Sequence, residues 1–452
     1  MRVSLSRPLS VDEAAGMLGG EPIGLDSKEM ISGVTTDSRE AMPHDLFVAL
    51  EGRSASGESY CRDAAAKGAI PLSAVKGEGR ITIVDNPRLA LRRLAKRYKE
   101  EMPRLCHTVA ITGSNGKTTS KNILFHLLAP SCKAHATEGN FNNDLGVSLT
   151  ILGAPYDTEV MILELGMNHK GEISELSKTV CPTAAIITNV GTAHIGMLGS
   201  REEIANAKKE ITHGMQGGRV YVSLDEPLLS DIADKSTVSM YNRCADLYAE
   251  VEESDSGYHF NLIRGQKALN NFRLNIKGEH ILSNLLLCLA VALDIGIPPT
   301  DLRERCNNLT ETITRHRITE ASDFLIFDDT YNASLESITA DLELLKKYAP
   351  RPLGAALGDV LELGDMSEEI HEIIGKRAVE SGVDRFYLFG RYAEYISHSA
   401  RSAGISPRDI FIAKSVEELA ELVLKKHRTN EIILFKASHA VGLDKAIRIL
   451  KR

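Results

Sequence analysis

Residues 113–119 form a glycine-rich segment whose residue types suit phosphate binding. They read Gly-Ser-Asn-Gly-Lys-Thr-Thr, after an apolar run at 109–111 and before a helical pattern at 121–128. Glycines let backbone N–H groups approach phosphate oxygens, while a helix N-terminus and Lys117 supply positive charge. The two glycines are closer together than in the Walker A pattern, and such pairs also occur in surface turns. The preceding strand and following helix nevertheless favour a phosphate loop, in which Thr118 offers a hydroxyl to Mg²⁺.

Three more segments place polar residues where chemistry is plausible. Glu164 ends an apolar run, and a carboxylate facing a phosphate loop is a natural Mg²⁺ ligand. His194 closes the segment Thr-Asn-Val-Gly-Thr-Ala-His, although a lone histidine is more often structural than a ligand. The amide-rich stretch at 139–147, taken alone, is typical of a turn. Lys208 lies on a charged helical pattern at 200–211, whose simplest interpretation is a solvated surface.

Short apolar runs alternate with helical segments from Thr108 onward, which is typical of α/β proteins. Buried parallel strands are predicted at 109–112, 160–163, 184–188 and 220–222, and a buried helix at 280–293. Ligands in such sheets lie beyond the carboxyl ends of the strands. The polar or glycine residues that fall there are Gly113, Glu164, Asn189 and Asp329.

Two further regions flank this one. The first, residues 1 to about 100, closes with a predicted helix at 89–101 and the breaker Met102-Pro103. The other begins near residue 312 and is predicted to form a second, smaller doubly wound sheet. Its strands are predicted at 325–327, 355–357, 386–389 and 432–435, and its helices at 337–347, 368–381 and 416–426.

Composition narrows the class of protein. A chain of 452 residues favours two to four domains. The net charge of −8, with no long basic block, argues against nucleic acid as the main partner. Seven dispersed cysteines without a Cys-x-x-Cys pair fit reduced thiols better than a disulfide scaffold or a zinc site. No signal peptide or membrane-spanning stretch is visible, so we expect a cytosolic protein without membrane insertion.

Taken jointly, these segments resemble the Mur ligases, the ATP-dependent amino-acid and peptide ligases of cell-wall precursor synthesis. The resemblance runs nearly end to end, and within the family it is strongest to the branch that adds D-alanyl-D-alanine. It is carried by Thr-Gly-Ser-Asn-Gly-Lys-Thr-Thr (112–119), Gly-Asn-Phe-Asn-Asn (139–143), Glu-Leu-Gly-Met-Asn-His-Lys-Gly-Glu-Ile (164–173), Ile-Thr-Asn-Val-Gly-Thr-Ala-His (187–194), Ala-Lys-Lys-Glu-Ile (207–211), Asp-Asp-Thr-Tyr-Asn-Ala (328–333) and Leu-Gly-Asp-Val-Leu-Glu-Leu-Gly (357–364).

The resemblance implies a three-domain α/β architecture. Residues 1–103 would form an N-terminal domain that binds the UDP-substrate, 104–313 a central phosphate-loop ATPase domain with a mainly parallel sheet, and 314–452 a C-terminal Rossmann-like domain. The segments Gly-Val-Thr-Thr-Asp-Ser-Arg (33–39) and Asp-Leu-Phe-Val-Ala-Leu-Glu-Gly (45–52) resemble the family's module for the UDP-sugar end of the substrate. That module argues against the folate-tailing relatives, which lack it.

The resemblance also implies roles for individual residues. Catalytic roles fall to Lys117, Lys208 and His194, and metal binding to Thr118, Glu164, His194 and Lys208. Nucleotide binding falls to Gly113, Ser114, Asn115, Gly116, Lys117, Thr118, Thr119, Asn284, Arg317 and Asp329. Substrate binding falls to Thr36, Asp37, Ser38, Arg39, Asn142, Asn143, Tyr331 and Asn332. Lys208 matches the family's carbamylated lysine, which replaces the surface-helix interpretation, and two Mg²⁺ ions are implied beside ATP.

The implied reaction activates a substrate carboxylate as an acyl phosphate, which an incoming amine then displaces. The substrates would be a UDP-muramoyl-tripeptide and D-alanyl-D-alanine, and the family expectation is a monomer. One alternative is a Mur-type ligase of different amino-acid or peptide specificity. Another is a nucleotide-dependent switch or binding protein, but a carbamylation site at Lys208 would have no obvious purpose there.

Several positions depart from the branch that adds D-alanyl-D-alanine. Ile281 stands where an asparagine is usual, Ser334-Leu335 replaces Asn-Pro, and Ser56 and Glu58 flank Gly57 where Asp-Gly-His is expected. His439 stands in place of an arginine, which would offer a permanent bidentate fork. The departures at Ser56, Glu58 and His439 support the alternative of a changed specificity. The stretch Asp85-Asn86-Pro87-Arg88 spells a signature of the related diaminopimelate-adding ligases in the wrong domain, and we interpret it as a loop before a helix.

Overall fold

The computed structural model describes residues 1–52, 56–83, 85–310 and 317–451. The chain divides into two compact units. The first unit consists of Met1–Thr112, Leu128–Ile186 and Glu210–Val220, and the second of Gly113–Leu127, Ile187–Lys209 and Tyr221–Arg452.

The N-terminal part of the first unit is a mixed sheet. In the described residues its strands are β1 (Arg2–Ser10), β2 (Gly20–Ile23), β3 (Met30–Thr35), β4 (Asp45–Val48), β5 (Ile70–Ser73) and β6 (Arg80–Ile83), with helices α1 (Val11–Leu18), α2 (Cys61–Ala66) and α3 (Pro87–Glu100). The strand order is β1-β3-β4-β5-β6-β2. The four central strands are parallel, and the edge strands β1 and β2 run antiparallel to their neighbours.

Helix α3 begins where the sequence places its strongest local signals. The Asn86 side chain accepts a hydrogen bond from the Arg88 backbone, and Pro87 occupies the first turn, where its missing N–H costs nothing. Leu91, Leu94 and Tyr98 recur at helical spacing on the buried face. The predicted helix at 89–101 is therefore confirmed, with a start two residues earlier, and Asp85-Asn86 is the loop that leads into it.

The remainder of the first unit contains the strands that precede the polar loops. These are β7 (His107–Thr112), β8 (Ala134–Ala136), β9 (Val160–Glu164) and β10 (Ala184–Ile187), in the order β10-β7-β9-β8. The connecting helices are α4 (Lys117–Leu128, in the second unit), α5 (Asp144–Leu152) and α6 (Glu172–Val180). Strands β7 and β9 are parallel, with Ile111 opposite Glu164. The three strands predicted here are confirmed, each within three residues at both ends.

The second unit continues with a sheet whose far side was not predicted. Helices α7 (Ile195–Leu198) and α8 (Arg201–Lys209) precede β11 (Arg219–Ser223), β12 (Lys235–Ser239), β13 (Leu247–Ser254), β14 (Gly257–Arg264) and β15 (Lys267–Leu274). Strands β13, β14 and β15 form an antiparallel meander beside β12. Helices α9 (Glu279–Ile295) and α10 (Pro299–Asn307) follow, and α9 confirms the predicted buried helix.

The C-terminal sheet of the second unit has the order β16-β17-β21-β18-β19-β20. Its strands are β16 (Arg317–Ala321), β17 (Phe324–Asp328), β18 (Leu353–Gly358), β19 (Arg385–Phe389), β20 (Ile410–Ala413) and β21 (Ile432–Lys436). The helices are α11 (Leu335–Lys346), α12 (Ser367–Glu380), α13 (Ala393–Ser402), α14 (Val416–Lys426) and α15 (Leu443–Leu450). Strands β17 to β21 are parallel and β16 is an antiparallel edge.

The core of this sheet follows its apolar strands. Buried residues of β17, β21 and β18 pack against α14 and α15, with Ile326, Phe435 and Leu419 at the centre. The predicted smaller sheet is thus confirmed, with every predicted strand and helix in place. Within the described residues, no helix is both long enough and apolar enough to cross a lipid bilayer.

Candidate functional site

The loop at 113–116 takes a conformation that its glycines make possible. Gly113 has φ 150° and Gly116 has φ 78°, values that side chains rarely adopt. A Cβ at Gly113 would lie 1.8 Å from Oγ1 of Thr188. The loop leads straight into α4, which begins at Lys117, so its N–H groups and the helix N-terminus lie together. This arrangement fits the predicted phosphate loop, and it places Thr118 and Thr119 in the first helical turn.

The segment after β10 holds this loop in place. The Asn115 N–H donates to Oδ1 of Asn189 at 2.9 Å, and the Thr188 hydroxyl donates to the Asn115 carbonyl at 2.5 Å. The Gly191 N–H donates to Oγ of Ser114 at 2.9 Å. The two predicted polar loops are therefore one hydrogen-bonded structure, which sequence spacing alone does not reveal.

Two lysines lie near this loop with different environments. The amine of Lys117 donates to the carbonyls of Gly113, at 2.7 Å, and Ser114, at 3.3 Å. Lys208, on α8, is only 1% exposed. Burial, reinforced by the positive charge of Lys117, holds the pKa of Lys208 well below its usual range. No carboxylate of the described residues lies within ion-pair distance of Lys208, so nothing nearby offsets the cost of burying its charged form.

Asn284 lies against the phosphate loop. It is buried on α9, and a Cβ added at Gly116 would lie 2.6 Å from its Nδ2 atom. Ile281, three residues earlier on the same helix, is fully buried in the core. The nearby amide that can serve a nucleotide on this helix is therefore that of Asn284, whereas Ile281 contributes packing.

In the first unit, Glu164 ends β9 and is 2% exposed. Its Oε1 atom accepts a hydrogen bond from Nδ2 of Asn142 at 2.8 Å. Glu164 is opposite Ile111 in the β7–β9 register. It therefore lies next to the carboxyl end of β7, the strand that leads into the phosphate loop. Asn143 has another use, since its side chain accepts from the Gly146 N–H and caps α5.

The described residues contain no group of three or more His, Cys, Asp or Glu side chains that could hold a metal ion by themselves. The predicted Mg²⁺ ligands include only one carboxylate side chain, that of Glu164. Such a set is usual for Mg²⁺, which keeps several waters and takes one or two protein carboxylates together with substrate phosphates. The buried carboxylate of Glu164 and the hydroxyl of Thr118 are oxygen donors of the kind that Mg²⁺ prefers.

The predicted UDP-substrate residues line a cavity of about 520 Å³ in the first unit. Its lining comprises Met1, Thr36, Asp37, Ser38, Arg39, Phe47, Leu50, Gly57 and Tyr60. Within it Nη2 of Arg39 lies 2.6 Å from Oδ2 of Asp37. The hydrogen bonds from Arg39 hold the pKa of Asp37 well below its usual range. The cavity thus presents one fixed anion and one cation that is 88% exposed at its side chain.

Ser56 and Glu58, which flank Gly57, have partners of their own. Oε1 of Glu58 lies 2.5 Å from Nη1 of Arg80, and its carboxylate also accepts from the Ser73 hydroxyl. The Ser56 hydroxyl donates to Glu51 at 2.8 Å. Only Gly57 of this trio belongs to the cavity lining, so the two departures from the family pattern act here on the fold rather than on the cavity surface.

In the C-terminal part of the second unit, Asp329 belongs to a buried charged triad. Lys436 contacts the carboxylates of both Asp329 and Asp341, with 2.7 Å to Oδ2 of Asp341. Burial, with the neighbouring charge of Asp341, raises the pKa of Asp329 to about 6 although Lys436 opposes this. Burial alone would lower the pKa of Lys436, but the two carboxylates raise it to about 12. Sequence analysis singled out Asp329 and missed Asp341.

The residues that follow Asp329 form an exposed pair of rings. Tyr331 and His439 have ring centroids 5.8 Å apart, and both side chains are exposed, as is that of Asn332. His439 therefore lies beside the predicted substrate residues Tyr331 and Asn332 rather than apart from them. The predicted nucleotide ligand Arg317 begins β16, but its side chain lies outside the described part of the structure.

Several contacts join this region to the phosphate-loop segments, and sequence analysis missed them. The Ser334 hydroxyl donates to Oδ1 of Asn115 at 2.9 Å. The Glu336 carboxylate accepts from the backbone N–H and hydroxyl of Thr192. Nδ1 of His194 lies 2.5 Å from Oε2 of Glu362, although the two atoms are not aligned as a hydrogen bond. A signal was available only in part, since Glu362 lies within the Leu-Gly-Asp-Val-Leu-Glu-Leu-Gly segment.

A buried parallel sheet, a glycine loop against a helix N-terminus and a buried lysine of lowered pKa define a nucleotide-binding α/β protein. Two family models match the chain: that of the Mur ligase middle domain at residues 111–292, and that of the Mur ligase glutamate ligase domain at residues 315–439. The chain belongs to the Mur ligases and is a ligase that forms C–N bonds. The expected three-domain α/β architecture of that family is confirmed.

Curated relatives cover nearly the whole chain. The UDP-N-acetylmuramoyl-tripeptide--D-alanyl-D-alanine ligase of Bacillus subtilis is 34% identical and covers 93% of each sequence. The ligase of the same name from Haemophilus influenzae is 31% identical and covers 98% of each. Among solved structures, MurF from Acinetobacter baumannii gives a TM-score of 0.87 at 27% identity, covering 99% of this chain and 100% of that one. MurF from Thermotoga maritima in complex with ADP gives 0.81 at 27% identity, covering 92% and 96%.

Proposed function

We propose that this ligase joins D-alanyl-D-alanine to the terminal carboxylate of a UDP-N-acetylmuramoyl-tripeptide, with ATP as the energy source, in peptidoglycan precursor synthesis. The names of the full-length relatives support the two substrates. The observation that carries the reaction type is Lys208, a fully buried amine beside the lysine of a phosphate loop. A buried lysine without an anionic neighbour is costly, so the fold retains it for a chemical use.

That use is carbamylation. A neutral amine attacks CO₂ and loses one proton, which gives a carbamate with one negative charge. The lowered pKa of Lys208 favours the neutral amine that this reaction needs, and the charge of Lys117 nearby stabilises the resulting anion. The modified side chain would supply an oxygen ligand where the unmodified one supplies a cation.

The substrate carboxylate attacks the γ-phosphate of ATP, which releases ADP and forms an acyl phosphate. The amine of D-alanyl-D-alanine then attacks the acyl carbon, and phosphate leaves as the amide bond forms. Lys117 and the loop N–H groups bind the nucleotide phosphates, and Asn284 lies at the same loop. No protein nucleophile is required, and all seven cysteines are free.

Mg²⁺ would be held by Thr118, Glu164, His194 and carbamylated Lys208. When bound, it offsets negative charge on the phosphates during transfer. The cavity lined by Thr36 to Arg39 would take the UDP-sugar end of the substrate, and the family-model bounds support the domain limits 1–103, 104–313 and 314–452. Our proposal includes a monomeric enzyme that acts in the cytoplasm.

A ligase of altered acceptor specificity is the second candidate. It rests on His439, which lies beside Tyr331 where the family pattern has an arginine. Histidine lacks the permanent charge and the bidentate fork of arginine. An acceptor whose carboxylate depends less on such a fork would suit this site.

The test is phosphate release measured with ATP, a UDP-muramoyl-tripeptide and a panel of acceptors that includes D-alanyl-D-alanine and single D-amino acids. We expect release only when both substrates are present, and fastest with D-alanyl-D-alanine. The Lys208→Ala variant should lose activity about a hundredfold or more and regain part of it with acetate or propionate. Lys209→Ala, which removes the neighbouring lysine that pairs with Asp231, is the matched control.

Turnover with neither substrate present would refute the ligase assignment. Preference for another acceptor would refute the D-alanyl-D-alanine assignment and support the second candidate. Unchanged activity of Lys208→Ala would remove that residue from the reaction.

A further inference from the structure

The turn from Thr192 to Gly196 is held from one side by residues of the C-terminal sheet region. The Glu336 carboxylate accepts from the Thr192 N–H at 2.8 Å and from its hydroxyl at 3.2 Å. The Gly196 N–H donates to the Glu362 carbonyl at 3.0 Å. Between these two points, Nδ1 of His194 lies 2.5 Å from Oε2 of Glu362. A five-residue turn is thus fixed at its start, its middle and its end.

The approach is so close that glycine is required on both sides. A Cβ at Gly191 would lie 2.7 Å from Cδ of Glu336. A Cβ at Gly196 would lie 2.3 Å from the Gly364 N atom, and one at Gly364 would lie 2.9 Å from Cα of Gly196. The contacts of Gly196 and Gly364 are to backbone atoms and cannot be relieved by a rotamer change, so these two backbones are in contact, whereas the contact of Gly191 is to the Glu336 side chain.

The two residues that meet at the centre both have a left-handed backbone. His194 has φ 66° and Glu362 has φ 65°, in a region that non-glycine residues rarely occupy. Such conformations persist only where surrounding contacts determine them, and they cluster at functional sites. Here they direct the imidazole and the carboxylate toward each other.

We propose that Glu336 and Glu362 are positioning residues, which hold the His194 turn so that the imidazole presents Nε2 in a fixed direction. A histidine that binds a metal commonly has its other ring nitrogen held by a carboxylate, which fixes the tautomer and the ring orientation. The Glu362 carboxylate lies at ion-pair distance from Nδ1 and can interact with it electrostatically, and Glu336 fixes the backbone that carries the ring. The metal-binding part of the inference rests on the proposed function, whereas the hold on the turn does not.

The hold on the turn is tested by hydrogen exchange of the segment 190–199, measured in the full-length enzyme with and without AMP-PNP. Glu336→Gln weakens the acceptor for the Thr192 amide, and we expect about tenfold faster exchange there. Glu343→Gln is the matched control, because Glu343 is an exposed glutamate on the same helix α11. Its exchange at 190–199 should equal that of the unmodified chain.

The orientation of His194 is tested by Mn²⁺ binding to the enzyme with AMP-PNP, followed by electron paramagnetic resonance. Glu362→Gln should lower the affinity for one of the two bound Mn²⁺ ions by about 10-fold to 100-fold. Asp365→Asn, an exposed acidic residue of the same loop, is the control and should leave both ions unchanged. In turnover, Glu362→Gln should lower kcat while the KM for ATP stays the same, and Glu362→Asp should recover part of the loss.

Gly196→Ala disrupts the same contact from the other side, by adding a Cβ against the Gly364 backbone. As a second, independent variant it keeps the test informative if one of the glutamine variants misfolds. It should speed exchange at 190–199, whereas Gly16→Ala, at a helical glycine with nothing within 4 Å, should not. The inference would be overturned if hydrogen exchange in Glu336→Gln and Mn²⁺ affinity in Glu362→Gln both equalled those of the unmodified chain. Equal effects in the control variants would also overturn it. If the unmodified enzyme fails to use D-alanyl-D-alanine, the proposed function falls, but the exchange result still stands.

Discussion

At the scale of single residues, the Lys436 amine has the most demanding environment. It is 1% exposed and contacts two carboxylates, those of Asp329 and of the equally buried Asp341. Burial is the main reason why the pKa of Asp329 is raised, and the charge of Asp341 adds to it, while Lys436 offsets only part of the effect. The triad joins the residue that follows β17 to helix α11 and strand β21, two residues before Tyr331.

Replacing Lys436 with methionine should therefore destabilise the chain by about 3–5 kcal/mol, because two buried carboxylates lose their cation. Urea unfolding measures this, with the exposed Lys346→Met on α11 as control. The effect depends on pH with a definite sign. A buried carboxylate has a higher pKa in the folded state than in the unfolded state. The free energy of unfolding of the variant should therefore rise as pH falls from about 7 toward 4. A loss that is independent of pH would contradict the ionic explanation.

At the scale of elements, the connection from β7 through the glycine loop to α4 does most to form the site. Its backbone angles, its contacts to Thr188 and Asn189 and the helix N-terminus all serve one purpose, which is to direct N–H groups at an anion. A side chain on Gly113 would collide with Thr188, because the space between the two loops has no room for a Cβ atom.

The Gly113→Ala variant should lose at least tenfold in ADP affinity, measured by isothermal titration calorimetry. The reason is local, since the added Cβ would have to displace the Thr188 hydroxyl that holds the loop. Gly16→Ala, within helix α1, is the control and should bind ADP as the unmodified chain does while gaining up to about 1 kcal/mol in stability. Equal affinity in both variants would show that the loop tolerates a wider turn.

Prediction from sequence succeeded where local patterns decide the structure. Buried parallel strands such as β9 and β21 are continuous apolar runs, and α3 and α9 have clear boundaries. The meander β13–β15 was missed because its faces are largely exposed and alternate with charged residues, as in Glu250 to Glu253. The contacts of Glu336 and Glu362 were missed because they join segments far apart in sequence, and only Glu362 lies within a segment that the sequence singled out.

At the scale of the whole molecule, each compact unit carries its own binding features. The first unit contains the cavity around Asp37 and Arg39, and the second contains the phosphate loop and the C-terminal sheet. If these features bind substrate and nucleotide as we propose, substitutions in them should have separable effects.

Arg39→Ala should raise the KM for the UDP-muramoyl-tripeptide about tenfold to a hundredfold, as expected for loss of a charge-assisted hydrogen bond. The affinity for ADP should stay the same. Arg62→Ala, at an exposed arginine on α2, is the control for loss of positive charge near the cavity. A parallel loss of ADP affinity in Arg39→Ala would mean that the variant damages the fold rather than the cavity.

The burial of Lys208 has a further consequence, for how the enzyme behaves over time. If Lys208 is carbamylated as we propose, the packing that lowers its pKa should also slow the entry and escape of CO₂. Enzyme prepared in degassed buffer should therefore start slowly when bicarbonate is restored, and its progress curves should show a lag that shortens as bicarbonate rises. The dissolved gas would then act as a slow switch on the enzyme.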